Sequence, residues 1–551
     1  MKKTARLLLP NPVNKNTPSK QNRGKSYAAE TQVLRMLWSK LPRPRSWLIL
    51  RLAPSCHLAV RQASEGEYHD DNLPQAQIPH PDIDITTNSV VLMAASQNFQ
   101  HRIMRAFFTI LLFSLAAAGS CGSKTWSIAA TGDLLGSFVA TDDEMTKAVW
   151  DVTRSSTFSF FNMEGQMLDS ATFTGYPASE NGGDNTYGDV GGGPTYDPAQ
   201  ALLLSEAGFN LASHANNHAW DYELTGMEET HASLSAANIS FAGSGRSLSE
   251  ARDATFVQRG NIRLSFLSAA GTHTPQSVAG PGNADQGLAP RPGANVLRAQ
   301  PVTVLNDADF SIIQKIAAAQ GQDLPDDVSD ITLYTGQHPI SWSYWRRQSA
   351  AEAPSIAWDI NDADYVGILS SIRDAKSESN ATVFSFHAHE SESGAGDSYV
   401  PLPPRSTVPA PYIRNITRSA IEAGADIVLV HGPHHLRGIE IHHGRPIFYG
   451  LSHLTYSLGL NFRGYELPIE WDDGVIAQTT FDNDFVSKIV LYPLVHNQLT
   501  NDSSLPDRTM PKIAPLAESQ RILAHLQRVS EPFGTRIKVN GTVGYIDLTS
   551  D

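Results

Sequence analysis

At 551 residues, 41% apolar and 18% charged, the chain has the composition of a globular protein longer than one ordinary domain. Its net charge of −14 is unevenly spread: residues 1–103 hold fourteen Lys and Arg against seven Asp and Glu, so the remaining 448 residues carry −21. That acidic body excludes a nucleic-acid partner, because no basic face is left to displace counterions, and the two cysteines, Cys56 and Cys121, exclude a disulfide framework or a cysteine-rich zinc site.

The first 64 residues contain one acidic residue, Glu30, and no sustained apolar period, and residues 1–103 read as a disordered leader, either dispensable or the result of a start assigned too early. From Met104 the run "MRAFFTILLFSLAAAGSCGSK" has one Arg, an apolar stretch from Ala106 to Ala118 and then small residues before Cys121. This is the layout of a secretory signal, too short to span a bilayer comfortably, and it predicts a secreted or extracytoplasmic protein. The small residues before Cys121 also suit a lipid anchor, so any membrane attachment would run through this segment.

From residue 122 onward, strand-like runs alternate with helical ones. "KTWSIAATGDLLGSF" reads as a strand ending in Gly132-Asp133, and "FSFFNMEGQML" as one ending in Asn162 and Glu164. A Gly-rich loop leads to a helix from about Pro198, then to the strand "FNLAS" and the segment "ASHANNHAWDYELTG", with His218 and Asp221. A helix over about 224–237 and the strands "ISFAGSG" and "IRLSFLSAA" follow. Residues 274 to 359, with scattered Pro and Gly, read as an irregular insertion over the site. The helix "ADYVGILSSIRDAKS", the strand "ATVFSFHAHES", the helix "YIRNITRSAIEAGA" and the strand "DIVLVHGPHH" restore the pattern, followed by two strands turning at His443-Gly444. This alternation, with polar residues at the carboxyl ends of strands, predicts an α/β sandwich.

Five strand ends thus present Asp133; Asn162 with Glu164; Asn217 with His218; His387 with His389; and His431 with His434. Carboxylates, an amide oxygen and imidazoles without thiolates are the donor set of a pair of divalent ions such as Mn, Zn or Fe. Such a pair can activate a water and neutralise the oxygens of a phosphate or a polarised carbonyl.

The ordered pieces "ATGDLLG", "FFNMEG", "AGFNLASHANNHAWDY", "FAGSG", "FSFHAHE" and "AGADIVLVHGPHHLRGIEIHHGRPIFYGLS" resemble the CapA family of poly-γ-glutamate capsule-synthesis proteins, over about residues 124–550. The family looks like a branch of the calcineurin-like metallophosphoesterases, and the resemblance implies a four-layer α-β-β-α sandwich of two mixed sheets spanning 122–551. It makes Asp133, Glu164, Asn217, His387 and His434 metal ligands and His218 the imidazole facing the substrate, with Asp221 orienting it. Asn162, His389, His431 and Arg437 are further candidate contacts to metal or substrate. The chain departs from the family pattern at three places: His431-Gly432-Pro433 where two adjacent histidines are usual, Ser452-His453 where Gly-Asn is usual, and "HAH" where "HWG" is usual.

The resulting expectation is an envelope-associated metal-dependent hydrolase acting on an anionic polymer such as poly-γ-glutamate, or on a small phosphoester or peptide. A metal-activated water would attack, and His218 would protonate or stabilise the leaving group. Arg437, Arg445, Arg346 and Arg347 are the candidates to grip a polyanion. The alternative is a non-catalytic polymer-binding or export accessory on the same fold.

Overall fold

The computed structural model describes residues 46–52, 58–63, 89–94, 124–169, 171–175, 194–334, 342–392, 406–456, 461–462, 465–466, 468–496, 509–546 and 548. The chain divides into two compact units, 1–122 and 123–551. In the first, Ser46–Leu52 pairs antiparallel with both Leu58–Ala63 and Ser89–Ala94. The described residues of the leader, a region expected to be disordered, are three strands, drawn from runs such as "SVVLMA" that have β-branched apolar residues and no Gly or Pro. The signal-like segment 104–121, with Cys121, lies outside the described residues.

In the second unit, β1 (Thr125–Leu135), α1 (Glu144–Ser155), β2 (Phe158–Asn162), α2 (Gln200–Glu206), β3 (Leu211–Ser213), α3 (Glu223–Ala236) and β4 (Ser240–Ala242) come first. β5 (Thr255–Arg259) and β6 (Ile262–Ala270) precede β7 (Ala299–Leu305), α4 (Asp307–Ala319), β8 (Asp330–Tyr334), β9 (Trp342–Arg347) and β10 (Ser355–Ile360). Then follow α5 (Asp362–Ser377), β11 (Ala381–His387), α6 (Pro411–Ala423), β12 (Ile427–His431), β13 (Ile439–His442) and β14 (Arg445–Phe448). The chain closes with β15 (His453–Tyr456), β16 (Asp473–Asp482), β17 (Phe485–Val495), α7 (Leu516–Ser530), β18 (Ile537–Asn540) and β19 (Val543–Ile546). Helix starts follow capping chemistry: Asp143, Asn306 and Asn361 accept from backbone N–H groups at the openings of α1, α4 and α5.

Two mixed sheets result, one ordered β18-β19-β17-β16-β1-β2-β3-β4 and the other β5-β6-β11-β12-β14-β13. Strands β1 to β4 are mutually parallel, as are β6, β11, β12 and β14. Parallel strands are covered on both faces, which explains their nearly unbroken apolar runs. The inner faces meet in one core: Ile128, Ala130, Phe158 and Phe160 from the first sheet pack with Leu264, Phe266, Val383, Ile427 and Leu429 from the second. The alternate residues point outward. Ala129 and Phe161 pack with Val149, Leu204 and Leu234 of α1, α2 and α3, whereas Phe384, Phe386 and Val428 pack with Ile368, Ile372, Ile413 and Ile416 of α5 and α6. These are the four layers, helix-sheet-sheet-helix, that the resemblance implied.

The insertion is irregular only up to about residue 298. Beyond it, β7, β8, β9 and β10 form a four-stranded sheet ordered β8-β9-β7-β10, and α4 covers it through Leu305, Phe310, Ile313, Ile331 and Leu333. No helix among the described residues is long and apolar enough to cross a membrane.

Candidate metal centre

Because the central strands of each sheet run parallel, their carboxyl ends gather at one rim, the usual place for a site in an α/β sheet. A bulge in β1 aims the first carboxylate: Ala130 pairs with Phe160 but Asp133 pairs with Asn162, so β1 carries one extra residue. Gly132 is required there, since a Cβ would fall 1.8 Å from the Ser452 carbonyl oxygen, the same oxygen that accepts from Asp133 N at 3.1 Å. From the second sheet, His387 of β11 stands beside His431 of β12 in register.

The side chains converge without solvent: Asp133, Glu164, His387, His389, His431 and His434 are all buried. Asp133 accepts from Asn162 Nδ2 at 2.9 Å and from Gly432 N at 3.0 Å, and its Oδ2 lies 3.2 Å from His434 Nδ1. His387 Nδ1 is 3.0 Å from His431 Nδ1, and His387 Nε2 is 2.8 Å from His389 Nε2. Two imidazole nitrogens that close need a proton or a cation between their lone pairs. Glu164 Oε1 lies 3.7 to 4.0 Å from Nε2 of His434, His387 and His389. His434 adopts φ +58, a left-handed conformation whose strain is typical of functional positions.

Burial pushes three of these imidazoles, His387, His389 and His431, down. His431 falls to about 4, opposed only by the Asp133 charge. His387 and His389 fall well below the usual histidine value through burial and then through repulsion by the other imidazoles, His218 and His434 among them. Burial alone would raise the Asp133 carboxyl, but the hydrogen bond and charge of His434, with His431 and Asn162, outweigh it and hold the group below its ordinary value. His387, His389 and His431 shifted toward their neutral forms, beside a carboxylate shifted toward its ionised form, match the protonation states that metal ligands need.

Three groups of ligand atoms lie within 4.8 Å of one another: Asp133, His387 and His431; Glu164, His387 and His389; Asp133, Glu164 and His434. A tetrahedral ion with metal–nitrogen bonds of about 2.0–2.1 Å sets neighbouring ligand atoms about 3.3 Å apart, and the contacts above bracket that spacing. The donor set and geometry therefore fit divalent metal.

His218 and Asp221 sit on the adjoining loop, both buried, with His218 Nδ1 2.7 Å from Asp221 Oδ2. Asn217 is buried between Asn216 and His218. Asn162 donates its amide Nδ2 to Asp133 and, at 3.2 Å, to Glu164, while its Oδ1 accepts from Asn216, so in this structure it orients the two carboxylates. Arg437, a candidate contact to metal or substrate, lies in the interior. Its guanidinium is fully buried and donates to the backbone carbonyls of His389 and Glu390, bracing the end of β11. The other arginines expected to grip a polyanion are also engaged: Arg445 with Asp426, Arg346 with Asp330 and Asp359, and Arg347 over the Phe310 ring.

Several supporting residues escape a motif reading. Asn216 ties the loop to Asn162 and to the Met163 carbonyl, and accepts from His218 N. Gln166 clamps the same loop, donating to the Ala219 carbonyl and accepting from Tyr222 N. Their signal was only proximity to the ligands. Gly432 explains a departure from the family pattern: a Cβ there would lie 2.5 Å from His389 Cδ2 and 2.9 Å from His387 Cε1, so the His389 ring fills the space a side chain at 432 would enter.

A solved phosphatase of Mycoplasma pneumoniae is similar at 10% identity over 68% of this chain and 94% of that one, but its TM-score of 0.28 is too low to bear on fold or activity. Two proteins of Sinorhizobium fredii, y4sH and y4uA, are each 30% identical over 442 residues, covering 72% of this chain and 87% of theirs. The model of the bacterial capsule synthesis protein PGA_cap matches residues 120–454, a span that holds every candidate ligand named above at the rim. The chain belongs to the bacterial capsule synthesis protein PGA_cap family.

Proposed function

We propose that the protein is a metal-dependent hydrolase acting on a capsule polymer such as poly-γ-glutamate, or on a phosphoester linked to its synthesis. The observation that carries this reading is the sharing of Asp133, Glu164 and His387 among three ligand groups, next to the His218–Asp221 pair. Asp133, Glu164, His387, His389, His431 and His434 would hold the metal, which when bound supplies Lewis acidity toward a phosphoryl or carbonyl oxygen and lowers the pKa of a water. Asp221 accepts from His218 Nδ1–H, which fixes the ring so that a proton passed to a leaving group leaves from Nε2. Asn162 keeps both carboxylates turned toward the imidazoles.

A second reading is favoured by one observation: every ligand is less than 5% exposed, which also suits an accessory protein that holds metal structurally. Turnover separates the two. Release of phosphate from an aryl phosphoester, and of glutamate from poly-γ-glutamate, is measured with Mn and Zn supplied in turn. The hydrolase reading expects turnover by the parent and a loss of about a hundredfold in His218→Gln, with metal retained. Absence of turnover on both substrates would support the accessory reading.

A further inference from the structure

A second cluster of ligating side chains lies at the opposite end of the second sheet. Strand β14 runs parallel to β12, with Val428 beside Ile447, so the turn before Arg445 sits at the end of the sheet away from His431. Glu422, His442 and His443 meet there, with one ligand atom from each within 4.8 Å.

Rigid elements build this cluster. Along β13, Glu440 and His442 point to the face covered by α6, where Arg418 pairs with Glu440 at 2.8 Å and Glu422 lies 3.3 Å from His442 Nε2. The spacing matches: four residues of helix rise about 6 Å, and two residues of strand about 6.8 Å. The half-buried Arg418–Glu440 pairing thus holds Glu422 over His442. His443 would point away in an extended strand. Instead it has φ +50 and Gly444 has φ +71, the two left-handed positions of a tight hairpin turn, which swings the His443 ring back to 4.3 Å from that of His442. A left-handed conformation is unfavourable for a residue with a Cβ, and Asn or Gly would fill this turn more readily. The cluster also lies in the last turn of α6, where the helix's carbonyl end favours a cation.

We propose that Glu422, His442 and His443 form a peripheral binding site for a divalent transition ion, with zinc as the fitting chemistry. Two imidazoles and a carboxylate leave a fourth position for water, as in three-ligand zinc sites. The site is partly open, with the side chains of His442 and Glu422 20% and 56% exposed, so its ion exchanges with solution while that of the buried rim does not. A chain saturated with zinc then carries one ion more than the rim alone holds.

The test is isothermal titration of zinc into the full chain, carrying whatever metal survives extensive dialysis. One further equivalent is expected, at micromolar affinity. Glu422→Gln and His443→Asn, the latter suited to the same left-handed turn, should each weaken it at least tenfold and leave the dialysis-resistant metal unchanged. Absence of the further equivalent, or either variant binding it with parental affinity, would overturn the proposal. Since neither variant touches the rim, failure here leaves the hydrolase reading standing.

Discussion

The first sheet ends at the rim in Asp133, Asn162 and Glu164, and the second in His387, His389, His431 and His434, so acids and imidazoles reach the site from different layers. Either half alone would be poorly stable. Buried carboxylates without partners would be driven to the protonated form, and the imidazoles are already pushed toward neutrality. Facing each other, His434 and His431 keep Asp133 ionised, and the donor set becomes complete only when the sheets pack. The packing itself joins the halves: Phe160 of β2 meets Phe266 of β6 at 5.9 Å and the His431 ring at 5.9 Å.

The strongest way to break this pairing of layers is to open the contact between them. Phe160→Ala leaves a cavity between the sheets, and a loss of about 4 kcal/mol is expected in urea unfolding followed by circular dichroism. Retained metal should also fall, because His431 loses a wall that holds it.

Acid should separate the two layers by chemistry. In the chelator-treated chain, His431 titrates near 4 when folded and near 6.5 when unfolded, so the unfolded chain takes up the proton first. The stability tied to its neutral form is complete above about 6.5 and is lost as pH falls toward 4, amounting to about 2 kcal/mol between pH 7 and pH 5. His387 and His389 shift in the same direction and add to the loss. Asp133 does not contribute in this window, because its depressed pKa keeps its stabilisation intact until the pH drops below the ordinary carboxylate value of 3.8. Urea midpoints at the two pH values check the sign.

The smallest effect belongs to the insertion, whose ion pairs stand in water. Arg346 reaches Asp330 and Asp359 at 2.7 Å each, but all three side chains are a third to a half exposed. Arg346→Ala is expected to cost less than about 1 kcal/mol in the same unfolding assay and to leave metal content unchanged.

The alternation of apolar runs and polar strand ends was legible because β1 to β4 of the first sheet and β6, β11, β12 and β14 of the second run parallel and are covered on both faces. Each ligand-bearing strand therefore announced itself locally, as "SFFNMEG" and "IVLVHGPHH" do. The four-stranded sheet of the insertion was not, since β7 pairs with β9 and β10 across intervening Pro and Gly, and no local period marks such non-local pairing. The placement of Arg437 was hidden for a different reason: an arginine reads as surface in a sequence, and only the fold shows it in the interior, donating to the His389 and Glu390 carbonyls. The roles of Asn216 and Gln166 rest largely on backbone groups of a loop, which carry no residue signature, and on the Asn216–Asn162 contact that only the fold brings about. The relation of Gly432 to His389 could be seen only once β11 and β12 were side by side.

Metal content decides whether the rim holds ions. The full chain, dialysed so that only tightly held ions remain, is analysed by plasma emission beside Asp133→Ala and Glu164→Ala. Divalent metal is expected in the parent and a clear loss in each variant, with the circular dichroism of the folded chain retained, since each change removes a candidate ligand from the rim but no core side chain. A parent without tightly bound metal, or variants that hold as much as the parent, would contradict that expectation.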